Sequence, residues 1–170
     1  MVERLRTLGV IAVLAAYATA AYAVERVDKI EAILAWTLYT DSAATHDICF
    51  ISAVPKSSIP DGASRDAPRA YLTAWPKERV KAEVSFRMGF PVNPTSEPTA
   101  LIGLTEVKLF NRDDRLYVVD AAQETRLVEA MKRGTDIRVV ATSERGTKVT
   151  DIYSLGGFSQ AFAKLQSLCG

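Results

Sequence analysis

Histidine and cysteine are nearly missing from this chain: it holds one of the first and two of the second among 170 residues. A single histidine and two cysteines cannot supply the four-ligand sets of structural zinc, so no metal site is expected. There is no Gly-x-Ser-x-Gly elbow, and the lone His46–Asp47 pair stands before an apolar strand-like run. That pattern gives a serine hydrolase no support, and His46 reads as a polar loop residue. A phosphate-cradling loop is missing too. Gly156-Gly157 has neither the lysine nor the Gly-x-Gly-x-x-Gly spacing, and reads as a tight turn from strand into helix. No catalytic set and no cofactor motif emerges.

Charge of one sign is also absent. The formal net charge is +1, and without residues 1–23, which carry Glu3, Arg4 and Arg6, 19 basic residues balance 19 acidic ones. Such a chain has no global field with which to collect nucleic acid or anionic lipid, so nucleic acid is not an expected partner. The hydrophobic share of 48% beside 24% charged residues describes a globular chain, not a disordered one. Its length allows one domain with its own core.

The long apolar stretch that does occur is at the N-terminus. Arg4 and Arg6 precede an uncharged segment from Thr7 to Val24, and Ala21-Tyr22-Ala23 offers a small-x-small cleavage site. Residues 1–23 therefore read as a secretory signal peptide cut after Ala23, with no membrane span left in the mature chain. The destination is the periplasm, or the outer membrane and beyond. In that oxidising space Cys49 and Cys169 are expected to bridge, two buried thiols being the alternative.

Along the mature chain, residues 24–35 place apolar side chains at Val27, Ile30, Ile33 and Leu34, which reads as a short helix or a lead-in. Strands are expected over 36–40, 47–54, 70–75 and 81–90. In the last of these, Ala82, Val84, Phe86, Met88 and Phe90 alternate with Lys81, Glu83, Ser85 and Arg87. Residues 55–68 and 91–98 are proline-rich loops. A hairpin joins 106–110 to 116–119 across a charged tip, and Asp120 with Gln123 caps an internal helix that Gly134 stops with a left-handed turn. Strands at 137–142 and 148–153 follow, and Phe158, Phe162, Leu165 and Leu168 stripe a final helix. The sum is mainly β: an antiparallel β-sandwich with one internal helix and a C-terminal helix. Residues 24–48 form the lead-in and first strand, and 49–170 the rest of the same domain.

Four stretches carry a family resemblance: the run 49–56, the stretch 76–89 with Glu83-Val84-Ser85, the helix end Met131-Lys-Arg-Gly134, and the block 143–158. The most specific is the Arg-Gly-Thr…Asp-x-Tyr-Ser-Leu-x-Gly-Phe pattern from Arg145 to Phe158. With these, the sequence from Cys49 to Cys169 resembles the invasion-associated locus B proteins. The resemblance implies a secreted envelope protein of Gram-negative bacteria with a β-sandwich fold. The founding member was linked to host-cell entry, yet the family also occurs in bacteria that invade nothing. It brings no enzymatic activity and no catalytic residue. Many members have an additional cysteine pair and a tryptophan near the segment that here reads Leu116-Tyr-Val-Val-Asp120, so the resemblance carries the fold and not a specific partner.

Candidate sites are few. Glu144, Arg145, Gly146, Thr147 and Lys148 form a hairpin tip that offers a recognition patch, or a turn chosen for geometry in which Gly146 takes a positive φ. Glu78, Glu83, Asp113 and Asp114 supply carboxylates with no sign that two share a cleft. Trp36, Tyr71, Trp75, Phe86 and Phe90 read as core, not as a sugar platform. The function that fits is a non-enzymatic binding or interaction protein of the envelope, with an unidentified envelope or host protein as partner. The alternatives are an envelope-polymer hydrolase with paired carboxylates and a surface-exposed adhesin.

Overall fold

The computed structural model describes residues 27–41, 46–62 and 64–169. The expected signal peptide and its cleavage site lie outside the described residues. Among the described residues eleven antiparallel strands run in the order β1-β2-β3-β5-β6-β9-β8-β7-β10-β11-β4. The first layer holds β1 (Val27–Ile33), β2 (Trp36–Asp41), β3 (Cys49–Ala53), β5 (Arg69–Trp75), β6 (Val80–Arg87) and β9 (Arg115–Val118). The second holds β7 (Thr99–Ile102), β10 (Asp136–Thr142), β11 (Lys148–Ser154) and β4 (Ser57–Ile59). Strand β8 (Thr105–Arg112) serves both: Thr105 to Lys108 pair with β7, and Leu109 to Arg112 pair with β9. A strand that changes sheets midway makes the corner at which one layer folds over the other.

The alternation expected of β6 places Val84, Phe86 and Met88 in the core with full burial. Phe86 meets Tyr153 of β11 across the layers, ring centroids 6.1 Å apart. Helix α2 (Phe158–Cys169) covers the first layer, its Phe158 set edge-on against Trp36 at 5.1 Å. Cys169 at its end is bonded to Cys49 at the start of β3, Cα atoms 6.1 Å apart and 120 positions apart in sequence. The two-layered antiparallel sheet with one internal and one C-terminal helix is thus the fold that forms.

Three local expectations need correction. The described part of 24–35 is strand β1, not a helix, because it pairs with β2 through a turn in which Leu34 takes a φ of 52°. Val27 and Ile30 remain 50% and 51% exposed, so their helical spacing marked no buried stripe; edge pairing overrides it. Strands β4 and β7 fall in stretches read as loop or left unread. In α1 (Ala121–Arg133), the Asp120 carboxylate accepts the Gln123 N–H at 2.8 Å and is held below the usual range by that bond, as a cap should be. Gly134, however, is extended (φ −80°) and makes no left-handed stop. It is glycine for space: a Cβ there would lie 2.5 Å from Ile102 Cγ2 and 2.9 Å from Leu155 Cδ1.

Candidate functional site

Both proline-rich loops and the β10–β11 turn converge on one groove of about 820 Å³. Its walls include Arg65 and Asp66 from the 55–68 loop, Phe90 and Pro91 leading into the 91–98 loop, and Glu144, Arg145 and Thr147 from the turn. The turn is built by Gly146 at φ +83°, with Gly146 N–H donating to Ser143 O at 2.8 Å and Ser143 N–H donating to Thr147 O at 2.9 Å. The 91–98 loop is stitched to it: Glu144 N–H donates to Pro91 O at 3.0 Å and Asn93 N–H to Thr142 O at 2.8 Å. On the other wall Asp66 N–H donates to Gly89 O at 3.0 Å. Gly89 combines a φ of +75° with a backbone approach that puts any Cβ 2.0 Å from Asp66 O, so only glycine fits.

Arg65 fixes the floor. Its side chain is 5% exposed and that of Asp151, on β11, is fully buried. The guanidinium grips both carboxylate oxygens, Nη1 donating to Oδ2 at 2.9 Å and Nη2 to Oδ1. Nη1 also donates to Met88 O at 2.6 Å and Nη2 to Ser58 Oγ at 2.9 Å, while Ser58 donates to Asp151 Oδ1 at 2.7 Å. A desolvated ion pair is tolerated when its remaining lone pairs and protons are satisfied in this way. Phe90 lies beneath the guanidinium, 5.6 Å from Cζ to ring centroid. Sequence reading left Arg65 inside a loop. The signal for it sat on β11, where Asp151 shares the inward parity of Val149 and Tyr153: a carboxylate on a core face requires a cation.

The hairpin tip is thereby divided. Glu144, Arg145 and Thr147 face the groove, Gly146 supplies the turn, and Lys148 is an exposed β11 residue outside it. His46 lies elsewhere, its Nδ1 3.1 Å from the buried hydroxyl of Thr40, while the Asp47 carboxylate pairs with Lys77. Trp36 and Phe86 are core, as expected. Tyr71 is not: it occupies the opposite face of the first layer, under Arg115.

Two carboxylates do share a cleft. Glu83 and Glu124 line a hollow of about 330 Å³ with Phe110, Arg112 and Tyr117. It opens where β6 pairs with β9 no further than Ser85, so the Val84 N–H on that side is taken by Glu124 Oε1 at 2.7 Å. Burial pushes the Glu124 carboxyl up, an effect only partly opposed by that N–H and reinforced by Glu83.

Against known proteins, the fold aligns with the crystal structure of invasion associated protein B from Bartonella henselae. The TM-score is 0.58, over 81% of this chain and 96% of the other, at 15% identity. No curated protein matches the chain. Residues 36–166 match the family described as Invasion associated locus B (IalB) protein. With most of its length in that match, the chain belongs to the IalB family.

Proposed function

We propose that the protein is a binding module of the bacterial cell envelope that recognises a partner through the groove between the two proline-rich loops and the 144–148 turn. The observation that supports this is the groove's construction. A buried ion pair and backbone stitching fix its floor and walls, while Glu144, Arg145 and Thr147 stand exposed on its rim. A preorganised concavity with a polar rim suits recognition. The signal peptide read in residues 1–23 and the Cys49–Cys169 disulfide support a site of action outside the cytoplasm. Among the described residues no helix is long and apolar enough to cross a membrane. The family name and the Bartonella relative's name make a contribution to host-cell interaction the natural role to examine. Capture from envelope extract tests the reading: the wild-type chain is expected to retain a partner that Glu144→Ala/Arg145→Ala releases. Empty capture, or equal capture by both, refutes it. Protease added to intact cells then separates a surface adhesin, which is cleaved, from a periplasmic protein, which is not.

The Glu83–Glu124 cleft favours a second reading, an envelope-polymer hydrolase. A carboxyl whose pKa is raised by burial beside a second carboxylate is the kind of acid–base pairing that glycoside cleavage uses. Release of reducing ends from envelope polysaccharide, lost in Glu124→Gln, is the expected sign; a wild-type chain that releases none ends this reading.

A further inference from the structure

Backbone register sets four arginines side by side on the outer face of the first layer. Arg69 is directly opposite Arg87, Arg87 opposite Arg115, and Arg115 opposite Arg112. Opposed residues of paired strands project from one face. At about 4.8 Å between strands, the row crosses β5, β6, β9 and β8 over about 14 Å. Like charges in directly opposed positions are destabilising, and the chain relieves only one of them. Arg87 Nε donates to Asp114 Oδ2 at 2.7 Å and its Nη2 to Asp66 Oδ2 at 2.8 Å. Among the described residues, Arg69, Arg112 and Arg115 pair with no carboxylate. Arg115 lies over the Tyr71 ring at 5.3 Å and Arg112 over Phe110 at 5.8 Å. A balanced chain has therefore gathered four guanidinium groups into one line, three of them without a paired carboxylate among the described residues.

The adjacent row on the same face is aromatic and hydroxylic. Tyr71, Ser85, Tyr117 and Phe110 occupy successive strands in register, with Phe110 stacked on Tyr117 at 5.7 Å. The intervening positions Ala70, Phe86 and Leu116 point the other way, into the core. Both helices pack their apolar stripes on that core side, α1 through Leu127 and Met131 and α2 through Phe158 and Leu165, while the first turn of α1 borders the arginine face through Glu124, which lines a hollow with Phe110, Arg112 and Tyr117.

We propose that this face binds an anionic polysaccharide. The line of guanidinium groups selects a linear polymer that repeats a carboxylate, phosphate or sulfate, because charge complementarity removes the repulsion built into the row. The aromatic row sets apolar ring edges and phenol hydroxyls beside the charges, a surface suited to hydroxylated sugar rings. Bases need free aromatic faces on which to stack, and here Phe110 and Tyr117 stack on each other while Arg115 covers Tyr71. The inference does not rest on the groove.

Calorimetric titration of the disulfide-bonded protein with oligogalacturonate, with neutral dextran of equal length and with oligothymidylate tests it. Oligogalacturonate is expected to bind, more weakly as salt rises; dextran is expected not to bind; oligothymidylate is expected to bind at least about tenfold more weakly. Arg112→Gln/Arg115→Gln is expected to cost at least about tenfold in affinity for oligogalacturonate, with a cooperative melt at or above the wild-type temperature. Glu144→Ala/Arg145→Ala, in the groove, is expected to leave this affinity unchanged. Arg69→Gln touches no ring and serves as the second variant if the double substitution unfolds the sheet; a loss of about threefold is expected. Failure to bind oligogalacturonate, equal binding of dextran or oligothymidylate, or wild-type affinity in folded arginine variants overturns the proposal.

Discussion

The opposite ends of β3 are secured by different chemistry. At its start Cys49 is covalently joined to the last turn of α2, which holds the C-terminal helix against the first layer. From its other end the chain enters the 55–68 loop, and Arg65 of that loop is buried against Asp151 of the second layer. The disulfide acts mainly by restricting the unfolded chain and is indifferent to salt, but a reductant removes it. The ion pair acts in the folded state, resists reductant, and depends on both partners being present. Pinning a loop by one buried side chain lets its neighbours remain at the surface. Ser64 and Asp66 on either side of Arg65 are exposed in the groove wall. A rigid floor with an exposed rim is what recognition requires, and it is found at the ion-pair end.

The largest loss is expected at Arg65. Arg65→Met leaves Asp151 buried without its cation and is expected to remove about 3–5 kcal/mol in urea unfolding. Arg65→Met/Asp151→Leu, which removes both charges, is expected to regain most of that loss. A single variant as stable as the wild type shows that the pair pins nothing. Cys49→Ser/Cys169→Ser comes next, with an expected loss of about 2–5 kcal/mol for a closed loop of this length. Reductant should lower the melting temperature of the wild type and of Arg65→Met, and leave the double-serine variant unmoved. Equal melting of wild type and serine variant shows instead that α2 docks by packing alone. The two sites share no partner, so their losses are expected to add.

What could be read from sequence was what one strand or helix decides by itself. The period of two in β6, the Asp120 cap and the 143–146 turn with its positive-φ glycine all appeared where local chemistry placed them. Strand β1 was misread because this edge strand buries only Ile33 at its end, so its apolar positions carry no period. β7 was missed because four residues between Pro98 and Gly103 are too few to show one. The groove was half legible: the turn and both loops were visible, but their convergence depends on pairings between residues as distant as Arg65 and Asp151. The arginine row was hidden altogether. Arg69, Arg87, Arg112 and Arg115 become neighbours only through the register of four strands, which no single stretch of sequence contains.

The smallest expected effect is at Tyr153. Tyr153 is completely buried, and its hydroxyl has no hydrogen-bond partner among the described residues. Burial first, and then the charge of Asp151, push the phenol well above its ordinary range, so it stays neutral beside the ion pair. A buried hydroxyl without a partner forfeits its hydration and gains nothing in return. Tyr153→Phe keeps the ring against Phe86 and removes that penalty, so stability in urea is expected to be unchanged or to rise by up to about 1 kcal/mol. A loss of that size instead shows that the hydroxyl is engaged in solution and that the Arg65–Asp151 network extends to it. The ion-pair end would then be a polar cluster of four residues, Ser58 included, and Arg65→Met/Asp151→Leu should regain less than expected, because Tyr153 would lose its partner with the charges.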